Sequence, residues 1–275
     1  MNRFPNVKHI QDEPLAPSET AVLSDTDRML CLALDIGEHM LRCGGEIRRI
    51  EDTMERICRA YGAAHVEIFV ITSLVMAAVR MPDGSYSSQI RRVYSSSKDL
   101  YRLEQFNAIS RRICAERPSF DEVDRMIIQA KRARPYSSIW VTIGSVMAAG
   151  AFALFFGGSW RDGIAAAIVG LVLALLDGIQ IRAINQMAKT VILSFVLGLL
   201  AFVCVRVGLG ENLGFVTIGA IMLLIPGVET GNALRDLLCG DLLSGSLRIM
   251  QAMLLAIMIA FGYAASVLVT GGLLA

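Results

Sequence analysis

The sequence predicts a mainly α-helical integral membrane protein: an α-rich soluble region of residues 25–135 with a small β-hairpin, then about five transmembrane helices in 136–275. Two features of composition and one of pattern predict it. Hydrophobic residues make up 54% of the chain and the mean hydropathy is +0.54, above the roughly 45–50% apolar content of soluble domains. Charge is concentrated before Pro135, and the long uncharged runs follow it. Apolar residues in the first half recur at helical spacing rather than in unbroken runs.

Residues 1–24 hold prolines and charges rather than a basic start and an apolar core, so the expectation is a disordered lead-in and not a secretory signal. From Thr26 to Tyr61, Met29, Ile36, Met40, Ile47, Ile50, Met54 and Ile57 form one apolar stripe. Ser24 and Asp25 can cap its start and Gly62 can end it. Gly44-Gly45 costs about 1 kcal/mol per glycine in a helix interior, which predicts two helices meeting there. His65 to Met81 and Ser85 to Tyr94 read as two strands of a hairpin turned by Pro82-Asp83-Gly84. Two amphipathic helices follow, about Asp99 to Glu116 and Ser119 to Ala133, the second with a capping box of Ser119 and Glu122.

A membrane-crossing helix needs about 20 predominantly apolar residues. The expected spans are 137–156, 163–181, 190–208, 213–227 and 250–270, the fourth short enough to be re-entrant. Lys131, Arg132, Arg134, Arg182, Lys189, Arg235 and Arg248 fall on one side, and Arg161 and Arg206 on the other. Basic residues near span ends are retained inside, so the expectation is a multi-pass protein of the inner (plasma) membrane with its amino terminus in the cytoplasm.

Several function classes fall away. A charge of +1 shows no basic patch for nucleic acid. The six cysteines and three histidines have no metal-ligand spacing, so no metal and no cofactor are expected. No nucleophile motif or phosphate loop surrounds Glu38, His39, Thr72 or Ser73, so the chain is not expected to be an enzyme.

The candidate site is the polar run after the fourth apolar segment. Pro226 and Gly227 interrupt that segment, and unwound backbone at membrane depth survives where it lines a cavity or is buried in protein. Interrupted segments of this kind mark substrate sites in transporters. If Val228 onward is helical, Glu229, Asn232 and Asp236 share a face, with Arg235 at its border able to bind a carboxylate two-pronged. Asp241 follows in the same run, and Asp177 is a second acidic residue within apolar sequence. The competing reading leaves these charges solvated in a loop.

The run PGVETGNALRDLLCGDLLSG, residues 226–245, resembles the signature of the threonine/serine exporter family. Gly45-Glu46-Ile47-Arg48-Arg49-Ile50-Glu51 and Tyr61-Gly62 resemble that family's amino-terminal region, so the likeness spans nearly the whole chain. One set of spans is similar to the larger subunit of the family's split, two-component form. The resemblance implies secondary export of small carboxylate metabolites: threonine and serine, or dicarboxylates such as succinate. It also implies a separate partner subunit, and because five spans are few to enclose a polar route, a smaller partner of four or five spans, a homo-oligomer, or both is expected. Glu229-Thr230 departs from relatives that carry an apolar residue after the Pro-Gly pair, and places negative charge beside the expected anion site. Protonation of Glu229 or Asp236 would relieve that repulsion and couple export to protons, since burial raises a carboxyl pKa. The alternatives are a membrane-anchored enzyme and a sensor or scaffold acting through the soluble region.

Overall fold

The computed structural model describes residues 24–94, 99–132, 137–179 and 185–272. The expected lead-in and the chain around Arg134-Pro135 and Arg182 lie outside them.

Helices α1 (Asp25–Arg42) and α2 (Ile47–Ala60) meet at the double glycine, as their cost in a helix interior predicts. Gly44 takes φ +85°, while its N–H bonds to Leu41 O and the Gly45 N–H to Met40 O. This pairing of a left-handed glycine with two backward bonds closes α1 and frees the chain to turn. The whole predicted stripe is buried to 1% exposure or less at Met29, Ile36, Met40, Ile47, Ile50, Met54 and Ile57.

The expected two-stranded hairpin is a three-stranded antiparallel sheet in the order β1 (His65–Ile71), β2 (Leu74–Arg80), β3 (Tyr86–Arg92). The predicted turn at Pro82-Asp83-Gly84 joins β2 to β3, with Gly84 at φ +88°. A second reversal at Thr72-Ser73, where Ile71 pairs with Leu74, divides the stretch read as one strand. Val70, Val75, Ala77 and Val79 face the helices, so the sheet contributes one face to a core shared with α1 and α2. Helices α3 (Leu100–Glu116) and α4 (Phe120–Arg132) complete that core through Phe106, Ile113, Val123 and Ile127. The predicted capping box before α4 gives way to other bonds. The Ser119 carbonyl accepts from Glu122 and Val123 N–H, but the Glu122 carboxylate turns away to accept from Arg112 at 2.9 Å.

A second core lies among α5 (Ser138–Phe155), α6 (Trp160–Asp177), α7 (Gln186–Arg206) and α8 (Leu213–Ile221). It is built from small residues such as Ala153, Ala165, Ala166 and Ala201, which let backbones approach closely. The tightest crossings leave no room for a methyl group. A Cβ on Gly219 would sit 2.6 Å from Ala149 O on α5. One on Gly262 of α10 (Leu242–Gly272) would sit 2.4 Å from Val191 O on α7. At one end of this bundle the buried Asp162 carboxylate accepts from the N–H of Ser159 at 2.9 Å, Glu211 at 2.7 Å and Asn212 at 2.8 Å. It thereby ties the start of α6 to the entry of α8.

Among the described residues, three helices are long and apolar enough to cross a membrane: Ser138–Phe155, Gln186–Arg206 and Leu242–Gly271. The chain is therefore a mainly helical membrane protein with a small sheet. Helix α6 has 18 residues but carries Arg161, Asp162 and Asp177. Helix α8 has only 9 residues and ends at Ile221, well before Pro226, so the interruption is wider than the Pro-Gly pair alone predicts. Helix α9 (Gly227–Leu238) then starts from Pro226, whose fixed φ suits a helix entrance. The last helix begins at Leu242 rather than near Met250, and so takes in Arg248, which the sequence reading had placed in a loop.

Candidate functional site

Helix α9 and the start of α10 form an antiparallel pair. Gly240, at φ +94°, closes α9 with the Asp241 N–H bonded to Asp236 O at 2.9 Å, which turns the chain straight into α10. A Cβ on Gly245 would meet Leu237 Cγ at 2.6 Å and Ala233 O at 3.0 Å, so the two helices are in backbone contact. This places Arg248, on α10, beside Asp236, on α9.

Asp236 is 1% exposed. Arg248 Nε lies 3.4 Å from Asp236 Oδ2, and the two side chains are 9% and 0% exposed. At that separation the attachment is mainly charge attraction, because neither carboxylate oxygen takes a well-aligned hydrogen bond. Burial pushes the Asp236 carboxyl above its ordinary range, and the Arg248 charge opposes that. Glu46 and Asp241 push it further up, and the Ile47 backbone N–H draws it down.

The same surface is met by the junction of α1 and α2, through residues 44–48. Asn232 Nδ2 donates to Gly44 O at 3.1 Å. Arg248 Nη2 donates to Gly45 O at 2.8 Å. Arg235 Nη1 donates to the Glu46 carboxylate at 3.1 Å. Arg48 Nη1 reaches the Cys239 carbonyl at 3.4 Å. Glu46 is the N-cap residue of α2 but its side chain makes no cap bond, because it is engaged by Arg235 instead. The buried Asp236 charge lies at the same helix end, where the dipole favours an anion. Just behind, Glu51 accepts from Val70 N–H at 2.9 Å, which anchors the sheet to α2. Burial raises the Glu51 carboxyl, partly offset by that bond.

The structure thus brings Asn232, Arg235 and Asp236 together, with Asp241 half-buried close by. Asn232, Arg235 and Asp236 sit on helix α9 rather than in a loop and reach residues 44–48, with Arg235 66% exposed and Asp241 in the turn before α10. Pro226 is buried at the entry of α9, Gly227 is exposed there, and Glu229 is half-buried in its first turn. Asp177 stands apart at the end of α6, paired with Lys189 of α7 at 2.8 Å and 63% exposed. Sequence reasoning missed three contributors. In the sequence Arg248 reads as a loop cation, Glu46 stands out only through the family resemblance, and the carbonyls of Gly44 and Gly45 carry no side-chain signal. The spacing from Asp236 to Arg248 could have revealed the first, once α9 and α10 were read as a tight pair.

Chemically, the cluster offers two guanidinium groups and one amide as donors, around a buried carboxylate whose proton is held more tightly than usual. Such a set suits an anion bearing a carboxylate better than a cation or an apolar ligand. Among the described residues, no group of three His, Cys, Asp or Glu side chains could hold a metal ion.

Residues 31–270 match the model of the ThrE family, described as "Putative threonine/serine exporter". A protein of Mycobacterium tuberculosis named "Probable threonine/serine exporter" is 23% identical over 243 residues, covering 86% of this chain and 45% of that protein. An uncharacterized protein of Schizosaccharomyces pombe is 23% identical over 255 residues, covering 88% of this chain and 30% of that protein. The chain spans less than half the length of these curated relatives. No solved structure matches. The match over most of its length places this chain in the threonine/serine exporter family.

Proposed function

We propose that the chain is one subunit of a secondary exporter that moves small carboxylate metabolites, threonine and serine or dicarboxylates such as succinate, across the inner membrane. The observation that carries this reading is the donor cluster of Asn232, Arg235 and Arg248 around Asp236, directly after the non-helical stretch that ends α8. A helix broken within apolar sequence and followed by convergent charge is how membrane carriers expose polar groups to a route through the bilayer. In this reading Pro226 and Gly227 open the route, Arg235 receives the carboxylate and Asp236 carries the proton that couples export. Glu229 and Asp241 set the local field, and Asp177 is a peripheral charge.

The topology proposed has five apolar segments, α5, α6, α7, α8 with its interruption, and α10, below an amino-terminal cytoplasmic region of residues 25–135. Five segments are few to enclose a polar route, so a smaller membrane subunit of four or five spans, or a second copy of this chain, completes it. The test is uptake of labelled serine, threonine and succinate into proteoliposomes holding this chain with and without its partner. Arg235→Lys and Asp236→Asn should each depress transport at least tenfold while the protein still inserts, because one loses the fork and the other the charge. Transport that is normal in both variants removes the site. A rate indifferent to an imposed pH gradient removes the proton coupling alone.

A further inference from the structure

Three consecutive residues of the soluble region occupy the three donors of the proposed site. Asn232 is taken by the Gly44 carbonyl, Arg248 by the Gly45 carbonyl and Arg235 by the Glu46 carboxylate. The segment is stripped to those groups. Gly44 holds a left-handed φ of +85°, and a Cβ on Gly45 would sit 2.9 Å from Met40 O, so neither position accepts a side chain without strain. What the loop presents is two acceptor oxygens followed by one carboxylate.

We infer that Gly44-Gly45-Glu46 is an intramolecular stand-in for the transported ligand, a tethered plug that substrate must displace. The inference rests on the functional reading above and deepens it by assigning a self-inhibitory contact to the same site. The ligand is a small molecule with one carboxylate for Arg235 and a second oxygenated group for Asn232 and Arg248, as a dicarboxylate or a hydroxy amino acid provides.

The contacts are graded in a way that suits release. Arg235 is 66% exposed where it holds Glu46, and an ion pair so open to water is weak. Beneath it, Arg248 and Asp236 are 9% and 0% exposed and pair with each other without the loop. Withdrawal of the loop leaves Arg248 and Asp236 still facing each other, and frees Asn232, Arg235 and the Arg248 Nη2 donor for solvent or a competing carboxylate.

Equilibrium binding of labelled succinate, serine and threonine to the purified full chain tests this. Glu46→Gln keeps the side chain's length and removes the charge that competes for Arg235. If the plug fills the donors about nine-tenths of the time and the exposed pair favours it about fivefold, Glu46→Gln should tighten binding of at least one probe about threefold to fourfold. Arg235→Ala should abolish that binding in either background. On the unmodified protein, saturating ligand should raise amide hydrogen exchange in residues 43–48, because the loop is expelled. Binding that depends on Arg235 but is unchanged or weakened by Glu46→Gln, with no rise in exchange, overturns the plug and leaves the substrate site standing. No binding of any probe to either background overturns both.

Discussion

Removing Arg248 should be among the most damaging single changes outside the small-residue helix crossings. At 3.4 Å and an effective dielectric of about 20, its attraction to Asp236 is about 5 kcal/mol. Most of this is offset in the intact protein by the several kcal/mol that each buried ion loses in desolvation. Arg248→Met leaves that cost opposed only by the Ile47 N–H at the start of α2, and also strands the Gly45 carbonyl that Arg248 serves at 2.8 Å. The expected loss is about 3 kcal/mol, limited because Asp236 can take up a proton instead of remaining charged. That corresponds to a fall in Tm of roughly 6–12 °C for a chain of this size. Asp236→Asn combined with Arg248→Met removes both charges and should recover at least half of the loss.

The pH dependence carries a sign. In Arg248→Met the folded-state Asp236 pKa rises further above its unfolded value, so the folded protein holds the proton more tightly. The destabilisation is absent below the unfolded pKa and grows as pH rises toward the folded one. Thermal unfolding in detergent, followed by size-exclusion monodispersity at pH 5 and pH 8, should show the variant closer to native at pH 5. A Tm within about 1 °C of native at pH 8, or no recovery in the double variant, would refute the buried-pair account.

Gly262→Ala should cost about 1–3 kcal/mol, because its Cβ would lie 2.4 Å from Val191 O and the α7 and α10 backbones would have to separate. Gly144→Ala, which meets nothing within 4 Å, should be neutral or slightly stabilising in the same thermal assay. His39 stacks on Phe106 with ring centroids 5.1 Å apart, and burial lowers its pKa from 6.5 to about 4. The unfolded chain therefore binds the extra proton first, and stability should fall by on the order of 2 kcal/mol as pH drops from 6.5 toward 4. His39→Phe should flatten that slope.

What the sequence revealed and what it hid follow from the range of the forces involved. The break at Gly44-Gly45 was legible because a glycine's cost in a helix is local and large. The apolar stripe of α1 and α2 was legible because burial repeats at 3.6 residues. The reversal at Thr72-Ser73 was not, since no Gly, Pro or Asn marks it and β-branched residues continue on both sides. The end of α8 at Ile221 escaped for a similar reason: Met222 to Ile225 are as apolar as the helix before them, so hydropathy does not change where the hydrogen bonding does. In the candidate site, the shared face of Asn232 and Asp236 could be read from spacing alone. Their partners could not, because Gly44 and Asn232 are 188 residues apart and a carbonyl is the same in every residue.

Arg248 shows where counting charges misleads. A cation near the end of an apolar run reads as a loop residue that fixes orientation, yet here it is 8% exposed and lies inside a helix of 31 residues. It is tolerated there because Asp236 faces it across an interhelical contact so close that Gly245 admits no side chain. The pair therefore depends on the packing of α9 against α10, and the packing depends on the pair. Any movement that parts these helices must neutralise or rehydrate Asp236, and a proton is the smallest species that can do so. The protonation state of one carboxylate would then be tied mechanically to the opening of the α9–α10 contact, which is the linkage a proton-coupled carrier requires.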